Sequence, residues 1–360
     1  MRRLQIHDLK GWPKFEWSLE RLAEPIAAVR HRQGRLLGYM EALGCNLRQE
    51  AVLETLTSDV TKSSEIEGEK LDTEQVRSSI ARRLGVDIGA LQPVDRNVEG
   101  VVEMMLDATR HYDRPLTEER LFGWHASLFH KGGAWRDDRT GPMQVVSGRI
   151  GNERVHFEAP KASRLPREMN SFLAWFEGET PIDPVLKAGL AHLWFVTVHP
   201  FDDGNGRIAR AIADMALARS ENSPQRFYSM SAQIRRERNA YYDILERTQK
   251  GTMDVLPWME WFLGCLDRAI DGAQVTLRKV LDKARFWERF GRTPLNDRQR
   301  AVINRLLDGF EGKLTSSKYG ALTKCSQDTA HRDILALVEV GILVRNPEGG
   351  RSTSYSLAPL

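Results

Sequence analysis

Residues 199–210 read His-Pro-Phe-Asp-Asp-Gly-Asn-Gly-Arg-Ile-Ala-Arg, which sets an imidazole, two carboxylates, a two-glycine turn and two guanidiniums side by side. His199 has an ordinary pKa near neutrality and can take a proton from an attacking group. Asp202 and Asp203 offer hard oxygen ligands of the kind that magnesium accepts together with phosphate oxygens. Gly204 and Gly206 let several main-chain N–H groups converge on one anion. Arg207 and Arg210, three apart at the opening of a helix, are misplaced at its positive end by roughly 0.3–1 kcal/mol each until an anion joins them. Phosphate supplies that anion. The chemistry in view is the handling of a polyphosphate beside a general base.

The same string resembles a calcium loop only superficially. An EF-hand would need an acidic residue where Phe201 stands and a Glu where Ile212 stands, and it fails at both.

The elements that must carry these residues follow from the flanking pattern. Leu186, Leu190, Leu193 and Val196/Thr197 keep helical spacing on the N-terminal side. Pro200 biases His199 away from the α region and ends that helix. Ile208, Ala211, Ile212 and Met215 then fall at i, i+3, i+4 and i+7, so Asp203–Gly206 is a turn leading into a new helix N-terminus, where unpaired N–H groups are exposed.

A second motif lies upstream, Ser63-Ser64-Glu65-Ile66-Glu67-Gly68. Leu53, Leu56 and Val60 mark one face of a helix from about residue 48, and Gly68 suits the position just past its end. Glu65 and Glu67 would then sit where the helix dipole disfavours carboxylates. The alternative is a capping box, Ser64 to Glu67, that opens a new helix. It would bury Gly68 inside that helix at about 1 kcal/mol, and Asp72/Thr73 offer a better start.

The 199–210 string matches the signature of the Fic family (filamentation induced by cAMP), HPFxDGNGRxxR, at every specified position. The resemblance covers roughly residues 40–270 and implies transfer of AMP from ATP, with magnesium, to a Ser, Thr or Tyr hydroxyl of a target protein. By that resemblance His199 is the general base, Asp203 the magnesium ligand, and Gly204, Asn205 and Gly206 the anion hole for the α- and β-phosphates. Arg207 is a second phosphate contact and Arg210 grips the γ-phosphate. Doc-type kinases vary the glycine turn, so an intact Gly-Asn-Gly favours adenylyl transfer. Ser63, Glu67 and Gly68 resemble the family's inhibitory motif, [S/T]xxxE[G/N], in the class with an N-terminal inhibitory helix; the implied partner of Glu67 is Arg210. Asn239 and Tyr242 are the implied lining of the adenine pocket. Val145–Ser147 and Arg154–Phe157, joined by GRIGNE, read as a β-hairpin. In this family a hairpin so placed is a flap that holds the target segment by main-chain pairing.

The rest of the chain bounds the reading. Its 360 residues, 41% hydrophobic and 28% charged, are ordinary for a soluble protein of two or three domains. No apolar run approaches a membrane span, and the first residues lack the apolar stretch of a secretory signal. Cys45, Cys265 and Cys325 are far apart, which suggests buried free thiols in a reducing cytoplasm rather than disulfides or zinc. Trp12, Phe15 and Trp17 suggest an N-terminal anchor, with an exposed docking patch as the alternative. Residues 231–249 suggest one charged amphipathic helix and 257–270 a core helix. From about 296 onward, three helices and a hairpin resemble a winged helix-turn-helix, with a mild basic excess and His331 and Arg332 as its strongest contact groups.

The expected architecture is mainly α: a Fic fold (a helical bundle with a hairpin flap), an N-terminal helical region and a C-terminal winged helix-turn-helix. Expected boundaries are 1–105 for the N-terminal region with the inhibitory helix at about 48–68, 106–270 for the catalytic domain, 271–291 for a linker and 292–360 for the wing. The expected activity is an autoinhibited, cytoplasmic protein adenylyltransferase using ATP and magnesium, with self-modification and a homodimer among its partners. Two other readings stand beside it: removal of AMP at the same site, with Glu67 positioning water, and a DNA-binding regulator whose pocket senses nucleotide.

Overall fold

The computed structural model describes residues 4–88, 91–129, 133–139, 141–149, 152–310, 312–347 and 353–359. It divides into two compact units, residues 1–86 with 92–274, and residues 87–91 with 275–360. The expected border at 105/106 falls inside the first unit. The interval expected as a linker is helical, because one helix runs without a break from Leu256 to Phe290.

The first unit is built from α1 (Leu19–Glu41), α2 (Cys45–Ile66), α3 (Thr73–Leu84), α4 (Arg96–Arg110) and α5 (Glu118–Phe129), then the hairpin β1 (Gln144–Arg149) and β2 (Asn152–Glu158). After it come α6 (Leu165–Glu177), α7 (Pro184–Val198), α8 (Asn205–Glu221), α9 (Met230–Arg236), α10 (Arg238–Gln249) and the start of α11 (Leu256–Phe290). At the centre stands α7, apolar on all sides and buried along nearly its whole length, as such a helix must be. Gly189 lets α11 approach it: an added Cβ would lie 2.9 Å from the Phe262 ring, and Trp258 Nε1 donates to the Gly189 carbonyl at 2.9 Å.

Leu53, Leu56 and Val60 are all buried, so the apolar face expected of α2 is the one it presents to the core. Its end decides between the two sequence readings. Glu67 is the cap residue, Gly68 takes φ +89°, and the N–H groups of Gly68 and Glu69 donate to the carbonyls of Glu65 and Ser64. That is the left-handed glycine stop of a helix. The capping-box alternative fails, since the next helix, α3, is capped by Asp72.

The aromatic cluster at the N-terminus is packed inward. Trp12 and Phe15 set their rings edge-on to Trp194 of α7, and Trp12 Nε1 donates to Glu168 Oε2 at 2.8 Å. The hairpin at 144–158 forms as the pattern implies, antiparallel, with Val145 opposite Phe157 and Val146 opposite Val155; its tip, residues 150–151, lies outside the described residues. The single helix expected over 231–249 is two, because Glu237 leaves helical geometry (φ −105°, ψ 27°) between α9 and α10. Cys265 is buried and Cys325 half-buried, whereas Cys45 is exposed at the start of α2, against the expectation of buried thiols. No described helix is long and apolar enough to cross a membrane.

In the second unit the end of α11 is followed by α12 (Asp297–Leu307), α13 (Ser316–Thr323), α14 (Gln327–Glu339) and the antiparallel pair β3 (Leu343–Arg345) and β4 (Tyr355–Leu357). Phe286, Ile303, Tyr319, Ile334 and Leu343 form its own core. The element order is the one expected from sequence.

Candidate active site

The helix–loop–helix of α7, residues 199–204 and α8 positions the signature. His199 caps α7 in the left-handed conformation (φ 52°, ψ 59°), its N–H donating to the Phe195 carbonyl. A left-handed non-glycine residue carries strain and persists only where its surroundings hold it. The imidazole is half-buried, and its Nδ1 lies 3.2 Å from the Val196 carbonyl oxygen. A carbonyl can only accept, so Nδ1 carries the proton and Nε2 presents its lone pair. Loss of hydration, first, and the Arg136 charge lower the pKa of His199 below its ordinary value, so the ring is neutral at pH 7. That is the state a general base needs.

The loop is locked by Asn205. Its side chain accepts from Phe201 N–H at 3.0 Å and donates to the Phe201 carbonyl at 2.7 Å. The Asn205 side chain therefore shapes the turn, and only its main chain is available to an anion. Gly204, at φ +79°, precedes the helix, and Asp203 Oδ1 accepts from its N–H at 2.6 Å. The first intrahelical bond of α8 comes from Ile208 to the Gly204 carbonyl, which leaves the N–H groups of residues 205–207 pointing out of the helix end.

The tail of α2 sits on that end. Glu67 Oε1 lies 2.8 Å from Arg210 Nη2, and a Cβ on Gly206 would meet the same oxygen at 2.1 Å. The carboxylate thus rests against the helix N-terminus and the guanidinium at once. Arg210 is buried, and its Nε and Nη2 donate to the Ser63 hydroxyl and carbonyl, each at 2.9 Å. Burial, the largest single influence, acts to lower the Arg210 pKa, and the Glu67 carboxylate together with the Tyr241 and Tyr242 hydroxyls outweighs it, so the net shift is upward. Gly68 supplies the turn described above and touches neither arginine through a side chain.

Sequence reasoning passed over three residues here. Glu69 Oε2 accepts from Arg207 Nη1 at 2.6 Å, so both arginines of the signature are ion-paired to the stretch just after α2. The alternating Glu-x-Glu of 67–69 carried that signal, once a helix stop at Gly68 placed both on one tail. His192, fully buried on α7, hydrogen bonds with the Tyr241 hydroxyl at 2.8 Å, and burial lowers its pKa to about 3. Arg136 reaches the His199 carbonyl from a loop where sequence showed only a glycine-rich approach to the hairpin.

Of the two residues implied for the adenine pocket, Tyr242 lies beside the site. Its hydroxyl donates to the Ile66 carbonyl at 3.3 Å, and the Arg238 guanidinium sits over its ring. Asn239 is exposed on α10. Among the described residues no group of three or more His, Cys, Asp or Glu side chains could hold a metal by itself. Asp203 offers a single carboxylate, the donor set magnesium takes when phosphate oxygens and water complete its shell.

Residues 115–217 match the family model described as Fic/DOC family, and residues 5–86 match a domain of unknown function, DUF4172. A protein adenylyltransferase Fic of Nematostella vectensis is 33% identical over 116 residues, 31% of this chain and 25% of that protein. One of Culex quinquefasciatus is 26% identical over 251 residues, 65% of this chain and 45% of that protein. The chain therefore spans less than half the length of these curated relatives. A solved Fic family protein from Desulfovibrio desulfuricans is similar with a TM-score of 0.54 at 23% identity, covering 94% of this chain and 95% of that one, a likeness of fold.

Proposed function

The chain carries a Fic/DOC-family domain, and from that premise we propose that it is a protein adenylyltransferase held inactive by Glu67. The observation that carries the reading is the pairing, in one loop, of an imidazole whose Nδ1 is tied to a carbonyl, so that Nε2 presents its lone pair, with a glycine-opened helix N-terminus. The N–H groups of residues 205–207, Arg207 and Arg210 are the donors for the triphosphate of ATP. The relatives named protein adenylyltransferase Fic support the same class of reaction.

In the reaction, a Ser, Thr or Tyr hydroxyl of the target gives its proton to His199 Nε2 as its oxygen attacks the α-phosphorus. The bond from that phosphorus to the bridging oxygen breaks, and pyrophosphate leaves. Magnesium, held by Asp203 together with nucleotide oxygens, would neutralise charge on the phosphates. Backbone N–H groups at the α8 terminus stabilise the negative charge that builds on the non-bridging oxygens. The hairpin β1–β2 holds the target segment by main-chain pairing. With Glu67 on Arg210, the γ-phosphate loses its cation, and the enzyme waits.

Transfer of label from α-labelled ATP to the chain itself and to added proteins tests this reading. The Glu67→Gly chain, run with each of the four nucleotides and with or without magnesium, should label with ATP. Absence of labelling under all these conditions would overturn it. Release of free AMP from an already modified protein would instead favour AMP removal, with Glu67 placing the water. DNA readout has less support: the exposed pair His331 and Arg332 on α14 shares its surface with Asp328, and Asp333 is spent on Arg298. A gel shift with genomic fragments separates that alternative.

A further inference from the structure

Arg136 lies in the segment 133–139 ahead of the hairpin, with its side chain wholly buried. Its Nε donates to the His199 carbonyl at 2.7 Å and its Nη2 to the Pro160 carbonyl at 2.6 Å. Its Nη1 donates to Asp138 Oδ1 at 3.1 Å, and its own main-chain N–H donates to the Pro200 carbonyl at 2.9 Å. Asp138 closes the set, because its Oδ2 accepts from Ala162 N–H at 2.7 Å. Next to it, Trp135 packs on the Phe201 ring at 5.2 Å between centroids. One guanidinium thus joins three separate segments: its own loop, the chain just after β2, and the His199–Pro200 turn.

Stability alone explains this poorly. A buried ion pair offsets its desolvation at best, and apolar packing of similar volume often stabilises as well. Arginine is suited to a different task, since its planar fork aims several donors in fixed directions. Here the fork spans the root of the hairpin and the one non-glycine residue of the loop that is held in a left-handed conformation.

We infer that Arg136 is a positioning residue that holds the His199 main chain and the root of the β1–β2 hairpin at one fixed spacing. This rests on the adenylyl-transfer reading, in which the hairpin presents the hydroxyl and His199 takes its proton. Through Arg136 the two sides of that proton transfer are set by a single side chain. It touches neither the α8 N-terminus nor Arg210, so its effect falls on the chemical step and not on ATP binding.

The test compares Arg136→Lys and Arg136→Ala, both built in the Glu67→Gly chain. Lysine keeps the charge but can aim at only one of the two carbonyls. A misplacement near 1 Å of a reacting group costs on the order of 100-fold, so kcat should fall roughly 10–100-fold with the KM for ATP at its parent value, Lys retaining more than Ala. Hydrogen exchange read by mass spectrometry on the same proteins should rise together at 144–158 and 199–204, with α11 up to residue 274 unchanged. A merely structural role would instead raise exchange across the whole unit and move kcat, KM and Tm together. Unchanged kcat in both variants, or faster exchange at only one of the two segments, overturns the inference. If the parent chain never labels but Arg136→Lys loosens both segments together, the adenylyl-transfer reading falls and the tie stands.

Discussion

Replacing Glu67 by Gly asks most of the proposed mechanism. The carboxylate lies 2.8 Å from Arg210 Nη2 and has 32% of its side chain exposed, whereas Arg210 is buried. Two unit charges 4 Å apart attract by about 4 kcal/mol at an effective dielectric near 20. Exposure on the Glu67 side screens this toward the ~0.2–1 kcal/mol of surface pairs. A net coupling of about 1–3 kcal/mol between this contact and ATP follows, or 5–150-fold in labelling. The cost to the fold is small by comparison. Residue 67 caps α2 at φ −83° and ψ 0°, outside the helix proper, so Gly there loses roughly 0.5–1 kcal/mol in backbone entropy. The assay is transfer from α-labelled ATP at fixed magnesium, with ATP affinity measured beside it by calorimetry. The double variant Glu67→Gly with Arg210→Ala should lose most of the gain, because the freed guanidinium is gone. Equal labelling by wild type and Glu67→Gly, both folded, would refute autoinhibition and leave the catalytic assignment standing.

His199→Ala in the activated chain should cut transfer by about 10²–10⁴ while ATP still binds, since the phosphate donors lie downstream of it; undiminished labelling would remove His199 as the base. Glu69→Gly added to Glu67→Gly should raise labelling by a further factor of up to about 5, because Arg207 is then freed from a pair whose carboxylate is 35% exposed; identical labelling would confine the inhibitory contact to Glu67. His192 should make stability depend on pH. Its folded pKa is about 3, below the unfolded value, so the unfolded chain alone takes up its proton below pH 6.5, and stability falls from there toward pH 3. Unfolding free energies of wild type and His192→Gln from urea titrations should diverge by about 1.5–2 kcal/mol between pH 6.5 and 5, and parallel curves would contradict the burial argument.

The parts of this molecule visible in sequence are those fixed by local rules. Pro200 and the glycines announced where α7 stops and α8 starts, and Gly68 announced the end of α2, because each demands a backbone conformation that few residues supply. The hairpin was legible from two β-branched runs around a turn. The break at Glu237 was not, since nothing in residues 231–249 lowers helix propensity there and the interruption arises in the folded context. Nor did the helical pattern distinguish a linker from the continuous α11, for both are rich in charge between 271 and 291.

Long-range polar contacts mark where such reading stops. Arg136 and Glu69 look in sequence like surface charges, one among Asp-Asp-Arg and the other in Glu-Gly-Glu-Lys. Their importance lies in which carbonyl or guanidinium the fold brings to them across 63 and 138 positions. A short motif could name Glu67 and Arg210 because both belong to recurring strings. It could not name the residues that the fold sets against those strings in this chain. His199 holds a strained conformation, and a strained residue needs partners outside its own loop. Searching for the donors to its carbonyl leads to Arg136, just as searching for the counter-charge to Arg207 leads to Glu69. Unmet local demands in a motif are therefore the place to look for the residues a motif omits.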